Sequence, residues 1–377
     1  MTLRRAGLLV VGLTSAGCAE PEAPAEASLA RLVAGTPMVA PPPEQIRELE
    51  AITTAEERAA SVAFDLVGSP RGALVVWADE ALHLQELDRG GRAVGDARVI
   101  SPAGEGPIQE VVAARSGDRH AVLWSRRDAT GERSSAWVSE GGIEALGPTV
   151  VTAGRQLALT GDGDGGFLAL ARGPDEACHD SDAEAGRCAT FAIHRLGEAG
   201  APRPLLALPN PCHDAVAGFV ATAGRWHYAV CNRSGPKPVT TLFTAQRSPS
   251  YAEASELFAG CLDVRALRLG ERIWLVGRCA GVRRVTAIEG LARVVEARAW
   301  EDVTARCEGE RLTLQAGELR LEVEAGADGL APLLPEGWVS ERGRAVWTGD
   351  HLLLAQESAD LAGPRRSAMR CHEGALR

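Results

Sequence analysis

A short apolar run that carries a tryptophan recurs through this sequence and constrains its fold more than any other feature. It reads ALVVW up to Trp77, AVLW up to Trp124, RIW up to Trp274 and RAVW up to Trp347, and Trp226 sits slightly earlier in the equivalent run GRWHYAVC. The fullest copy is residues 64–101, FDLVGSPRGALVVWADEALHLQELDRGGRAVGDARVIS: an apolar strand, a turn, a second strand, a Gly-rich turn and an outer strand. Neighbouring runs lie roughly 40 to 55 residues apart across most of the chain, and a sheet module of that period must stack on copies of itself to bury its faces. Beyond residue 60 no long amphipathic pattern interrupts the runs. The separators are Gly, Asp, Pro and Arg clusters, which 42 glycines and 21 prolines supply and which mark an all-β chain.

Seven modules can be traced, starting near 62, 108, 154, 210, 260, 302 and 337. The sixth, CEGERLTLQAGELRLEVEAGADG, is short and lacks the tryptophan, so six full modules is the alternative count. Radial stacking of four-stranded sheets gives a β-propeller. The expected fold is therefore an all-β β-propeller of seven blades over residues 61–377. A β-helix fits less well, because its repeat is shorter and more regular; a pair of β-sandwiches shares the strand pattern, and ring closure is not written in the sequence. The repeats resemble those of secreted bacterial β-propeller lipoproteins, whose modules run from an apolar strand ending in Trp through an LHLQELDRGG-type hairpin to a VGDARVIS-type outer strand. The match is best over 62–152. It implies architecture and says almost nothing about function.

The N-terminus is read as an export signal. Arg4 and Arg5 precede a short apolar run, Ala6 to Leu13, and small residues lead to Cys18. The run is too short to span a bilayer and has the layout of a cleaved signal. Residues 1–18 resemble a bacterial lipoprotein signal, which makes Cys18 the lipid acceptor, although Ser15 occupies the place where that signal usually has Leu. Residues 19–43, rich in Pro, Ala and Glu, read as a flexible tether, and 44–60 as a possible helix or N-terminal extension. Ala19 after the lipidated cysteine resembles the outer-membrane sorting class. The expected location is the bacterial cell envelope, held to the membrane through lipid on Cys18 as a monomer.

Eight further cysteines all lie in the latter part of the chain, and an exported location favours their oxidation. Modules four and five, CHDAVAGFVATAGRWHYAVC and CLDVRALRLGERIWLVGRC, each begin and end in cysteine and turn in the middle. An antiparallel hairpin brings such ends together, as a disulfide requires. Cys212–Cys231 and Cys261–Cys279 are the expected staples. Cys178–Cys188 brackets a polar loop, and Cys307–Cys371 is the remaining pair, tying the C-terminus to an adjacent blade. Full pairing leaves no thiolate for a metal. CxxCH is absent, and so are zinc-type cysteine pairs, so no cofactor and no metal is expected. His179, His213 and His372, which follow cysteines, are then loop residues, and a site from His179, Asp180, His213 and Asp214 is the minor alternative. Asp162 and Asp164 in TGDGDGGF read as turn residues, because a calcium loop's terminal Glu is lacking.

A net charge of -10 without a basic run disfavours nucleic acid. The motifs GxSxG, HExxH and SxDxGxTW are absent, so no catalytic residue is nominated. The expected function is a lipid-anchored, non-catalytic recognition or scaffold module for an envelope or extracellular protein or glycan partner. The alternative is a propeller-type hydrolase acting on glycans or peptides with its site on the ring axis, where carboxylates from separate blades converge. If the pairing scheme holds, intact-mass measurement before and after reduction and alkylation will count eight blocked cysteines besides Cys18; any other number breaks it.

Overall fold

The computed structural model describes Arg47, Glu48 and residues 63–377, apart from short connecting segments between strands. The chain is all-β, built from antiparallel sheets in the manner of propeller-type folds. A two-residue strand, β1 (Arg47–Glu48), comes first. The first sheet is β2 (Ala63–Ser69), β3 (Gly72–Ala78), β4 (Leu82–Asp88) and β5 (Ala93–Ser101). The second is β6 (Ile108–Ser116), β7 (Arg119–Asp128), β8 (Gly131–Val138) and β9 (Gly142–Thr149). The third consists of β10 (Leu157–Gly161), β11 (Phe167–Arg172), β14 (Thr190–Leu196) and β15 (Pro204–Pro209), with the small hairpin β12 (Glu176–Ala177) and β13 (Arg187–Cys188) inserted.

The fourth sheet is β16 (Ala215–Thr222), β17 (Arg225–Asn232), β18 (Val239–Gln246) and β19 (Tyr251–Leu257); the fifth is β20 (Cys261–Leu269), β21 (Arg272–Cys279), β22 (Val282–Glu289), β23 (Arg293–Val294) and β24 (Arg298–Ala299). The remaining strands are β25 (Thr304–Glu308), β26 (Arg311–Ala316), β27 (Leu319–Val323), β28 (Arg344–Trp347), β29 (His351–Gln356), β30 (Arg365–His372) and β31 (Ala375–Leu376).

The first sheet shows why these residues form these strands. GALVVWA of β3 is buried along its whole length, whereas β5 is exposed over most of its length. A continuous apolar run suits a strand covered on both faces, and a polar one suits an outer edge. At the outer pair the ladder slips between Leu84 and Glu86, and the amide of the buried Gln85 reaches the carbonyl oxygens of Glu86, Val94 and Gly95. The Gln85 amide thus supplies a donor to three carbonyls where the ladder is interrupted. Trp77, Trp124, Trp274 and Trp347 all lie on second strands or their equivalent and are buried. Trp300, which the repeat did not mark, is buried too, and its indole N–H donates to the Leu333 carbonyl at 2.9 Å.

The first strands of consecutive sheets stand side by side: β2 with β6, β6 with β10, β10 with β16, and β16 with β20. Side chains tie them. Asp65 accepts from the Ala113 N–H, Glu110 from the Leu157 N–H and Thr160 from the Ala221 N–H. The circuit continues through residues 326–330, which run against β28 through the Gly326, Trp347 and Leu330 N–H groups. On one side this segment approaches β20, where a Cβ on Gly329 would stand 3.9 Å from that of Leu267; on the other it touches β2 at Gly68.

Modules six and seven do not form two separate sheets. They merge into one eight-stranded sheet of order β27-β26-β25-β31-β30-β29-β28, with β1 as the eighth strand beside β30, and the C-terminal strand β31 bridges β30 and β25. The reason lies in the short sixth module: its β25–β27 meander supplies no further strand between β20 and 326–330 and attaches at the far edge of the sheet instead. Of residues 44–60, read as a possible helix or N-terminal extension, Arg47 and Glu48 are described, and they pair antiparallel with Ala368 and Ser367 of β30. The unpaired edge of β30 offers backbone hydrogen bonds that a short amphipathic pattern cannot match by itself.

Cys307 and Cys371 are bonded, with Cα atoms 5.9 Å apart. The bond fastens β25 to the C-terminal end of β30 and closes a loop of 64 residues. Replacing both cysteines by serine is expected to lower unfolding free energy by about 3–4 kcal/mol in a denaturant titration, chiefly by freeing the unfolded chain.

Candidate functional site

The expected site residues divide as follows. Cys18, Cys178, Cys212, His179, Asp180, His213, Asp214, Asp162 and Asp164 lie outside the described residues. Cys188 faces Glu176 in the β12–β13 hairpin, and Cys231 faces Ala215 across β16 and β17. Cys279 is disulfide-bonded, and Cys261 is its Cα partner across β20 and β21. His372 is exposed beside Glu373, at 3.8 Å. Asp79, after the Trp77 strand, accepts the Ala81 N–H at 2.7 Å and so forms the turn, with His83 held at 3.1 Å. Among the described residues no group of three His, Cys, Asp or Glu side chains is placed to hold a metal ion.

A different set comes together where β2, β6 and 326–330 meet. Asp65 is near the start of β2 and only 14% exposed. One carboxylate oxygen accepts from Arg344 Nε at 2.7 Å and from the Leu66 N–H at 3.0 Å; the other accepts from the Ala113 N–H at 2.9 Å. Arg344 is equally buried, stands 5.8 Å over the Phe64 ring and donates to the Arg342 and Gly343 carbonyls. Three sheets therefore contribute to one carboxylate, and its charge is fully matched by donors, the condition under which a buried charge is tolerated.

Asp328 lies on the neighbouring segment. It is half-buried by surface, but protein surrounds its carboxyl closely, and that carboxyl is pushed up to about 6. Dehydration is the first cause and the negative charge of Asp65 the second; a backbone hydrogen bond at Gly68 and the charge of Arg115 pull the other way. Arg115, at the end of β6, reaches across: its Nη1 comes within 2.6 Å of where a Cβ on Gly326 would stand. Gly326 has φ +85°, open to glycine and strained for other residues, and a Cβ on Gly68 would overlap the Gly326 carbonyl. These two glycines let the backbones close up and bring Asp328, Asp65 and Arg115 together. His120, on β7 opposite Arg115, is held below the usual histidine range, first by burial, against a backbone hydrogen bond at Gly68.

Chemically, this is an acid that keeps its proton into the weakly acidic range, beside a carboxylate group that accepts three hydrogen bonds. A carboxyl that holds its proton into that range is a candidate proton donor. Sequence reasoning missed Asp65, Asp328, Arg115 and Arg344, since acids and arginines are spread evenly through the chain. A weak signal existed in the related turns ARSGDR and LRLGER, each with Arg two residues before Gly.

No protein-family model matches the sequence, and no curated protein matches it either. Solved structures do. The β-propeller domain of the Trilobed protease from Pyrococcus furiosus matches with TM-score 0.46 at 12% identity, over 84% of this chain and 95% of that one. Trypanosoma rangeli sialidase matches with TM-score 0.40 at 9% identity over 82% of this chain, and prolyl oligopeptidase B from Galerina marginata with 0.41 at 11% over 78%. This chain spans only about half of those two proteins, 55% and 46% of their lengths. Matches of this kind concern the fold and assign no reaction. The expectation of a non-catalytic recognition or scaffold module is nonetheless corrected. What stands against it is the enclosed set of Asp65, Arg344, Asp328 and Arg115, in which a dehydrated acid lies beside a carboxylate and a guanidinium.

Because the Asp328 carboxyl sits above its ordinary 3.8 in the folded chain, the fold binds that proton more tightly than the unfolded chain does. The resulting cost is absent below about pH 4, grows as pH rises towards 6 and is complete above it. Asp328→Asn should therefore raise the stability of the protein by about 3 kcal/mol at pH 8 and leave it nearly unchanged at pH 4, as read from unfolding temperatures across that range.

Proposed function

We propose that this chain is a propeller-type hydrolase acting on glycans or peptides, with its site on the axis of a six-bladed ring. Asp328 is its proton-donating acid. The observation that carries the reading is the placement of Asp328 beside Asp65, whose charge Arg344 and two backbone N–H groups hold in place. Asp65 acts through Asp328: its fixed negative charge raises the proton affinity of the neighbouring carboxyl. A carboxylic acid protonated near its working pH can give its proton to a leaving oxygen or nitrogen. Arg115 balances the charge that builds up as the bond breaks.

The six-blade count is supported by the inner order β2, β6, β10, β16, β20 and 326–330, whose last member touches the first. The outer strand of the last blade then comes from β31 and from β1 at the other end of the chain. We further place the protein among secreted bacterial propeller lipoproteins, anchored in the outer membrane through lipid on Cys18. The signal-like residues 1–18 and the tether 19–43 support that placement.

The test is a panel of chromogenic glycosides and peptide anilides, followed by a pH–rate profile on any substrate turned over. Turnover should be highest below pH 6 and fall about tenfold per unit above it, as the donor loses its proton. Asp328→Asn should remove that limb and at least 99% of the rate, a loss of the order expected for a general acid. Turnover that survives in this variant sinks the assignment, and so does the absence of turnover across the panel.

A further inference from the structure

Gly68 joins two titratable side chains through its backbone. β2 and β3 close at the Ser69–Gly72 pair, and along an antiparallel ladder alternate residues turn both backbone groups away from the partner strand. Gly68 is such a residue. Leu66, two positions earlier on the same edge, follows the alternation: its N–H donates to the Asp65 carboxylate instead of to β3. The Gly68 groups that face away from β3 meet Asp328 and His120. The hydrogen bond at Asp328 favours the carboxylate, as an N–H donor does, and the one at His120 favours the protonated ring, as a carbonyl acceptor does. One glycine is thus held from two sides, by His120 at its carbonyl and by Asp328 at its N–H.

The surroundings bring these groups to one place. His120 is the Cα partner of Arg115 across β6 and β7, and Arg115 acts by charge on both His120 and Asp328. Arg115 Nε donates to the Gly117 carbonyl at 2.6 Å, and its Nη groups make no hydrogen bond among the described residues. The backbone of His120 is anchored by Ser139: its N–H donates to Ser139 Oγ at 3.0 Å, and its carbonyl accepts the Ser139 N–H at 2.9 Å. His120 Nε2 is shut off from water. Dehydration is the first cause of the ring's low proton affinity; the Gly68 carbonyl, Glu86 and Asp118 oppose it, and Arg115 reinforces it. The ring is therefore uncharged near neutral pH and acts on its surroundings as a neutral donor. Gly68 has no side chain to fix its peptide groups, and the Gly326 carbonyl leaves no room for one. Its orientation is set from outside, and His120 is the group that holds its carbonyl.

We propose that His120 is a positioning residue for the acid of this site: by donating to the Gly68 carbonyl it holds that residue so that its N–H meets the Asp328 carboxyl. The proposal rests on the hydrolase reading only for what Asp328 does in turnover, since proton binding at Asp328 is measurable without a substrate. The experiment is a pH titration of the full chain, isotope-labelled at the aspartate carboxyl carbons and followed by NMR, with Asp328→Asn identifying the resonance. His120→Phe removes the donor and keeps a ring. The Asp328 midpoint should then move up by about one pH unit, because the carboxylate loses a charge-assisted donor. His120→Gln supplies a neutral donor again and should return the midpoint close to that of the native protein. His120→Met fills the space without a strong donor; it should repeat the His120→Phe result and serves where the aromatic ring disturbs the fold.

The direction of the shift separates this role from a merely structural one. If His120 only fills space, its loss admits water to Asp328, and the midpoint falls towards the ordinary carboxylate range; that result overturns the proposal. An upward shift in all the variants, His120→Gln included, overturns it too, since His120 would then act through its charge. So does an unmoved midpoint in His120→Phe and His120→Met. On any substrate turned over, the fall in rate should begin about one pH unit higher in His120→Phe than in the native protein. A shifted midpoint without turnover on the glycoside and anilide panel rejects the hydrolase reading alone. Turnover with an unmoved midpoint rejects the positioning role alone.

Discussion

The carboxylate of Asp65 joins what the rest of the structure keeps apart. It sits on the first sheet, receives a backbone N–H from the second and a guanidinium from the last, and lies in a poorly solvated place. A charge so enclosed is costly unless every lone pair is matched, and removing one partner of such a pair typically costs about 3–5 kcal/mol. Asp65 therefore enforces the spacing of three sheets at once. Glu110 and Thr160 make comparable reaches to the next inner strand, each accepting a backbone N–H there.

The same charge defines the chemistry of its neighbour. Asp328 feels dehydration and Asp65 on one side, Arg115 and backbone donors on the other, and the first pair prevails. A rise from 3.8 to about 6 corresponds to about 3 kcal/mol, a large share of the marginal stability of an ordinary domain. Close approach of backbones at Gly68 and Gly326 keeps water away from this place, so the strain on Asp328 and the narrowing of the inner strands have one cause.

Much of the architecture was legible because burial leaves periodic traces. ALVVW reads as a strand covered on both faces, and β3 is buried throughout. The paired cysteines of module five announced the ends of a hairpin, and Cys261 and Cys279 are Cα partners. The short sixth module was recognisable as irregular, but its attachment to the edge of the last sheet was not, since an edge is defined by what fails to pair with it. Trp300 escaped notice because its partner, the Leu333 carbonyl, lies on an irregular segment. Arg47 and Glu48 escaped because a two-residue strand has no period at all.

What the sequence determined by itself is the repeating strand pattern, the turn positions and the hairpin that sets Cys261 opposite Cys279, all of which depend on residues close together in the chain. The tertiary structure alone decided the site. Asp65, Arg115, Asp328 and Arg344 are single members of unrelated modules, and each reads locally as an ordinary polar residue. Only the side-by-side arrangement of inner strands places a fixed negative charge next to a dehydrated acid and leaves an arginine with unused donors. Proton affinity depends on distance and on the exclusion of water, and neither is carried by the order of residues along the chain.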